Sequence, residues 1–196
     1  MKKLILFSLL LAVAPVFATT CGAPNPGGQV LSGVIADDLY VPAGTLCKLS
    51  YADVKGNTKV EGALASFASH FSNDVNVTGA IGFDNYWTPN TVAVDGNLII
   101  TATDQSALTS TPLSGFWLGG GYAVIIGKNL IVSDSTAPFY SEGVIVKGNA
   151  IFDGNQKGVT LGGNTVVSKN LNCDGNTPAP VLGSVTAMYK NGQCSQ

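Results

Sequence analysis

Arginine is absent from these 196 residues, histidine occurs once, and only 11% of the side chains are charged. Without a basic stripe, neither nucleic acid nor an anionic membrane surface is an expected partner. The missing guanidinium also removes the planar, bidentate donor best suited to carboxylate-bearing ligands such as uronic acids. No CxxC pair exists and His70 stands alone, so the usual zinc ligand sets are excluded. No apolar run reaches the roughly 20 residues that a membrane-spanning helix needs.

What is present begins with a targeting pattern. Lys2 and Lys3 precede an apolar run from Leu4 to Val13, and Val16-Phe17-Ala18 fits a small-residue cleavage site, so residues 1–18 are expected to be a signal peptide. Thr20 precedes Cys21 where a lipidation signal wants a smaller residue, which favours a soluble exported chain at the cell surface, outside the cell or in the periplasm. Removing Lys2 and Lys3 leaves eight lysines against twelve acids, a net charge near −4. The remaining length, about 178 residues, suits one domain.

Four cysteines, Cys21, Cys47, Cys173 and Cys194, lie beyond that segment. An even count in an exported chain reads as two disulfides with three possible connectivities. Local pairing, 21 with 47 and 173 with 194, is expected because each bridge would pin one terminal segment.

A repeat dominates the rest. Five segments read apolar-x-x-Asn-x-x-apolar: 54–60, 94–100, 126–132, 146–152 and 167–173, centred on Asn57, Asn97, Asn129, Asn149 and Asn170. The last two intervals between these asparagines are 20 and 21 residues. A period of about 20 residues means one supersecondary unit stacked on copies of itself. Around the asparagines lie short Val/Ile/Leu stretches bounded by Gly, Asn, Asp and Ser, the pattern of strands and tight corners. Such rungs have one apolar side each and bury it only by stacking about 4.8 Å apart. At a repeated corner, each Asn amide can donate to one neighbour and accept from another, forming a structural Asn ladder.

The expected architecture is therefore an all-β, right-handed parallel β-helix (β-solenoid) of six to eight rungs over residues 33–196, stapled by a disulfide near each end. Residues 19–32, rich in Pro and Gly, read as an irregular cap. Leu64, Phe67, Ala68 and Phe71 fit a helical period, but Gly44-Thr-Leu46-Cys-Lys-Leu49 parallels Gly62-Ala-Leu64-Ala-Ser-Phe67, so a strand is preferred there.

The run Val-Pro-Ala-Gly44-Thr-Leu-Cys47-x-Leu, then Val54-x-Gly-Asn57-x-x-Val60, resembles exported bacterial right-handed parallel β-helix proteins with a pectate-lyase-like fold, most of them uncharacterised. The ending Asn170-Leu-Asn-Cys173-Asp-Gly-Asn176 through Asn191-Gly-Gln-Cys194 is similar to the same class. The likeness spans residues 30–196. It implies the fold and no particular activity.

Two intervals exceed the period. Asn57 to Asn97 spans 40 residues, including a degenerate rung at 71–77, and Asn97 to Asn129 spans 32. The surplus falls in two Gly/Pro-rich stretches that read as loops, 79–89 and 111–122 (the second with Gly119-Gly-Gly121), which hold Tyr86, Trp87, Phe116, Trp117 and Tyr122 and both tryptophans of the chain. Insertions in repeat proteins emerge on one face, often the binding face. Aromatic rings also fill cores and anchor loops, so these five residues are binding candidates set against a plain packing role.

Acids recur past the corner asparagine at Asp134, Asp153 and Asp174. Stacked in register, they could form an acid/base pair of the kind glycoside hydrolysis needs, or offer oxygen ligands to Ca²⁺. Asp-Gly-Asn at 153–155 and 174–176 is equally ordinary turn chemistry. A lyase would further need a cationic base, for which Lys128 and Lys147 are the choices. His70 occupies the place that Asp53 holds one rung earlier and reads as a turn-exposed side chain. Thr101-Ala-Thr103 is a single copy, too little for a flat ice-binding array, and Asn76-Val-Thr78 is a chance-level glycosylation acceptor.

The expected function is that of an exported structural or binding module, without resident cofactor, which contacts a glycan or a cell-surface protein through its aromatic segments. The alternative is a polysaccharide hydrolase or lyase acting through Asp134, Asp153 and Asp174.

Overall fold

The computed structural model describes residues 19–24, 27–84, 91–101 and 116–196. The expected signal peptide lies outside the described residues. The rest is all-β. Among the described residues the one helical element is a 3₁₀ turn, Gln193–Ser195.

The chain coils because every pass repeats three strands separated by three corners, giving a parallel β-solenoid of about 7 turns. Face 1 holds Leu39–Val41, Thr58–Val60, Val75–Val77, Leu98–Thr101, Leu130–Ser133 and Ala150–Asp153, then residues 171–174. Face 2 holds residues 46–50, then Ala63–Phe67, Ala80–Asp84, residues 116–119 and 139–142, Val159–Leu161 and Val181–Leu182. Face 3 runs from residues 33–35 through 52–54, His70–Phe71, Val92–Val94, 124–126, 144–146 and 165–167. Each strand pairs in parallel with its equivalent one coil away, so backbone hydrogen bonds run along the long axis.

The core follows from alternation within each strand. Leu98 and Ile100 point inward and are fully buried, while Ile99 between them is only half-buried. Stacked coils place Val60, Val77, Ile100, Val132, Phe152 and Cys173 in one interior file. The Phe139 and Phe152 rings meet inside it, with centroids 5.2 Å apart. A one-residue slip would turn that whole file to solvent, which is why the register holds.

Two expectations about local structure resolve differently. The segment 62–71 forms strands, Ala63–Phe67 and His70–Phe71, as preferred over a helix. Residues 19–32, expected to be irregular, carry strands in their described part. Thr19–Thr20 pairs with Leu39 and Tyr40, Ala23–Pro24 runs antiparallel to 45–46, and Gln29–Ile35 lines the next coil. Gly33, with φ of 76°, supplies the corner that lets Gln29–Ile35 pass from face 2 to face 3. Composition suggested disorder of form, yet glycines here mark corners between strands.

The disulfides are Cys21–Cys47 and Cys173–Cys194, the local pairing, with Cα atoms 5.4 and 5.3 Å apart. Each ties a terminal segment to a neighbouring coil near one end. Within the segment that the last bridge closes, Lys190 stacks in register on the buried Leu171. A charge thus stands where the apolar file would continue, a device that blunts an open sheet edge.

The asparagine ladder is present at the corner leading into face 1. Asn129 donates its backbone N–H and its Nδ2 to Asn97 Oδ1, at 3.2 and 3.0 Å. Asn149 does the same to Asn129 Oδ1 at 2.9 and 3.2 Å, and Asn170 to Asn149 Oδ1 at 3.3 and 3.1 Å. Asp74 takes the ladder position before Asn97 and accepts both of its donors, at 2.7 and 3.1 Å. Asn57 donates its backbone N–H to Asp38 Oδ1 at 2.7 Å. The file sits half-buried at an edge, not deep inside. Its approach requires a glycine beside it: a Cβ on Gly148 would overlap the Lys128 carbonyl oxygen.

A second ladder occupies the next corner. Asn155 donates its backbone N–H and Nδ2 to Asn176 Oδ1, at 3.2 and 2.7 Å. Asn176 donates likewise to Gln193 Oε1, at 2.9 and 3.1 Å, and Ser135 opens the file by donating its N–H to Asn155 Oδ1. The two amide nitrogens also reach the Val132 and Phe152 carbonyls at 3.0 and 2.9 Å. This file is buried, with Asn155 at 1% and Asn176 at 3% exposure.

Candidate functional site

The described strands that flank the two long intervals are neighbours on face 2. Ala80–Asp84 pairs directly with the start of Phe116–Ile126, matching Gly82 to Trp117, Phe83 to Leu118 and Asp84 to Gly119. The surplus chain of the first interval leaves after Asp84, at the far edge of this face. That of the second enters before Phe116, at the near edge. Both interruptions therefore border the same two neighbouring coils.

Tyr86 and Trp87 lie outside the described residues. Phe116, Trp117 and Tyr122 fall within a strand, Phe116–Ile126, where the Gly119-Gly-Gly121 run suggested a loop. The glycines mark an irregularity instead, because pairing to Phe139–Val146 slips between Gly119 and Val124. At Gly119 the approach is tight: an added Cβ would overlap the Glu142 carbonyl oxygen. In register, Phe116 matches Phe139, which is buried, and Trp117 matches Tyr140, which is half-buried.

The next coil supplies polar groups. Tyr140 Oη donates to Glu142 Oε2 at 3.4 Å, and burial, then the Glu142 charge, then that hydrogen bond hold its phenol above the usual pKa. Beside them a cavity of about 290 Å³ lies at the corner between faces 2 and 3.

The three acids do not form one column. Ser133, Asp153 and Asp174 are in register, so Asp153 and Asp174 are stacked neighbours. Asp134 lies one residue further along, at φ of 50°, in the position of Gly154. It follows its ladder asparagine by five residues and the other two follow theirs by four, and that single step moves it to the next corner. All three are exposed, and Asp174 Oδ1 accepts from the Gly175 N–H at 3.0 Å. Among the described residues no group of three His, Cys, Asp or Glu side chains could hold a metal ion.

His70 does stack on Asp53, as its place in the repeat implied. The sequence did not reveal its second partner. Nδ1 meets Asp53 Oδ1 at 3.1 Å and Nε2 meets Asp95 Oδ2 at 2.9 Å, while Lys55 Nζ sits 2.6 Å from Asp53 Oδ2. Burial alone would lower the imidazole pKa; the bonds to Asp95 and then Asp53 outweigh it and raise it above 6.5. Asp53 is held below its ordinary value, first by Lys55, against partial burial, and then by His70. A second surface network links Lys59 to Glu61 at 2.6 Å and Tyr40 Oη to Glu61 at 2.5 Å. Hydrogen bonds from Lys59 and Tyr40 lower the Glu61 pKa. Neither network encloses a cavity or a nucleophile, so both read as bridges between coils.

No protein family, no curated protein and no solved structure matches the chain. Two disulfides fit an oxidising, exported compartment. Among the described residues no helix is long and apolar enough to cross a membrane.

Proposed function

We propose that this chain is an exported, non-enzymatic binding module, of the bacterial right-handed parallel β-helix kind that its sequence resembles. Its face 2, between the two interruptions, contacts an extended glycan or a cell-surface protein. One observation carries the reading: the strands that border both aromatic segments are immediate neighbours, Gly82 against Trp117. A rigid floor of paired strands holds whatever those segments present, and rigidity lowers the ordering cost of binding. Aromatic faces then supply contact area against the C–H faces of sugars or the apolar patches of a partner.

The test is a glycan array and a surface-protein pull-down with the mature chain, Trp87→Ala and Trp117→Ala. Loss of signal in both variants, with unchanged thermal unfolding, supports the proposal; binding at the parental level in both would defeat it.

The register of Asp153 on Asp174 keeps a second reading in play, polysaccharide cleavage by paired carboxylates. Neighbouring strands stand about 4.8 Å apart, close to the roughly 5–5.5 Å of retaining glycosidases. Both acids lie exposed on a corner, without a groove to exclude water. Release of reducing ends or unsaturated products from a polysaccharide panel, abolished by Asp153→Asn, would favour this reading over binding.

A further inference from the structure

The corner between faces 2 and 3 carries a cavity of about 290 Å³ lined by Ala123, Glu142, Ile145, Gly163, Asn164 and Val166, among others. Its apolar part comes from face 3, where Ile145 and Val166 are stacked in register and stay partly exposed. Its polar part is the carboxylate of Glu142 and the amide of Asn164. No cationic side chain lines it. The backbone there is shaped for openness: Asn164 holds a left-handed φ of 59°, and a Cβ on Gly163 would press on the Glu142 side chain. Tyr140, whose hydroxyl reaches Glu142, joins the cavity to the face 2 floor.

Its volume sits at the small end of ligand pockets, about 300–1,000 Å³, so it suits one ring of a longer chain. An apolar floor matches the C–H face of a pyranose, and a carboxylate with no cation beside it accepts hydroxyl or ammonium donors while repelling carboxylates. We propose that this corner is a subsite for a single non-acidic sugar ring, with Glu142 accepting from its donors and Ile145 and Val166 supporting its apolar face. This deepens the reading of face 2 as a binding surface and rests on it, since it names the class of glycan.

The experiment is an amide NMR titration of the mature chain with three probes: cellohexaose, a glucosamine hexamer and hexagalacturonate. The expected result is shifts at Gly143, Ile145, Gly163, Asn164 and Val166 with the first two, at least as tight for the amine, and none with the acid. Glu142→Gln should weaken cellohexaose about tenfold and remove any advantage of the amine. Val166→Lys, at a position already 37% exposed, should lose cellohexaose and admit the galacturonate. Equal binding of the acidic probe to the parent chain, or unaltered affinity in Glu142→Gln, overturns the subsite. Shifts confined to face 2 away from this corner overturn it while sparing the wider reading; no shift with any glycan, alongside an unaffected Trp117→Ala array, removes both.

Discussion

Two amide ladders climb the same solenoid at adjacent corners, and they differ in depth and direction. In the outer one, Asn97 to Asn170, each side-chain carbonyl accepts from the following coil, and the amides stay half-buried. In the inner one, Ser135 to Gln193, each carbonyl accepts from the preceding coil and the Asn155 and Asn176 amides are sealed from water. The same residue type therefore does unequal work. An exposed amide that loses its neighbour can turn to solvent, whereas a buried one leaves donors and acceptors unsatisfied, at about 1–3 kcal/mol each.

The comparison predicts an order of effects. Asn176→Leu should be the most damaging, since it removes the acceptor of the Asn155 backbone N–H and of one Asn155 Nδ2 hydrogen, and the amide donor to the Phe152 carbonyl, at one buried corner. We expect a loss of about 3–5 kcal/mol, read as a fall in melting temperature of about 8–15 °C at this chain length. Asn149→Leu should lose about 1–2 kcal/mol in the same urea or thermal experiment. Equal losses in the two variants would erase the distinction between the corners.

The mildest case is the ion-paired stack of Asp53, His70 and Asp95, partly open to solvent. Because the folded His70 pKa lies above 6.5, its contribution is complete below about pH 6.5 and is lost as pH rises through the folded value. Asp53 acts in the opposite sense: its contribution is present above about pH 3.8 and fades as pH falls through its lowered folded pKa. Thermal unfolding of the parent chain and His70→Gln should therefore differ most between about pH 4 and 6.5 and converge in mildly alkaline buffer. A difference that persists unchanged at alkaline pH would show that His70 acts through packing. The effect should be smaller than either ladder variant, as exposed ion pairs contribute little.

Much of the architecture was legible because period and corner chemistry agree. The apolar-x-x-Asn spacing names the outer ladder from Asn97 to Asn170 but misses Asp74 before it, while Asn57 enters through its backbone N–H to Asp38; the coil count, the strand at 63–67 and the local disulfides follow from stacking. The inner ladder escaped notice because Asp-Gly-Asn at 153–155 and 174–176 is also a turn signal, and its other members are Ser135 and Gln193. Only the common distance from the corner, six residues after Asn149 and Asn170 alike, marks it. The candidate site was less legible. Gly119-Gly-Gly121 looked like a loop and lies within a strand, because a local slip in pairing tolerates glycines that isolated propensity does not. The three-acid column failed for a countable reason: Asp134 stands one residue further from its asparagine than Asp153 and Asp174 do from theirs.

Everything depends on coils that superimpose without slippage, and cysteine pairs on face 1 measure that directly. Ile131 and Ile151 are matched in register on neighbouring coils, and Asn172 is matched to Ile151 one coil further on. Ile131→Cys/Ile151→Cys should oxidise to an intramolecular bridge at parental stability or better, because strand spacing of about 4.8 Å falls within disulfide reach. Ile131→Cys/Asn172→Cys, two coils apart at about 9.6 Å, should not bridge. A bridge in the distant pair, or none in the near pair, would contradict the stacking.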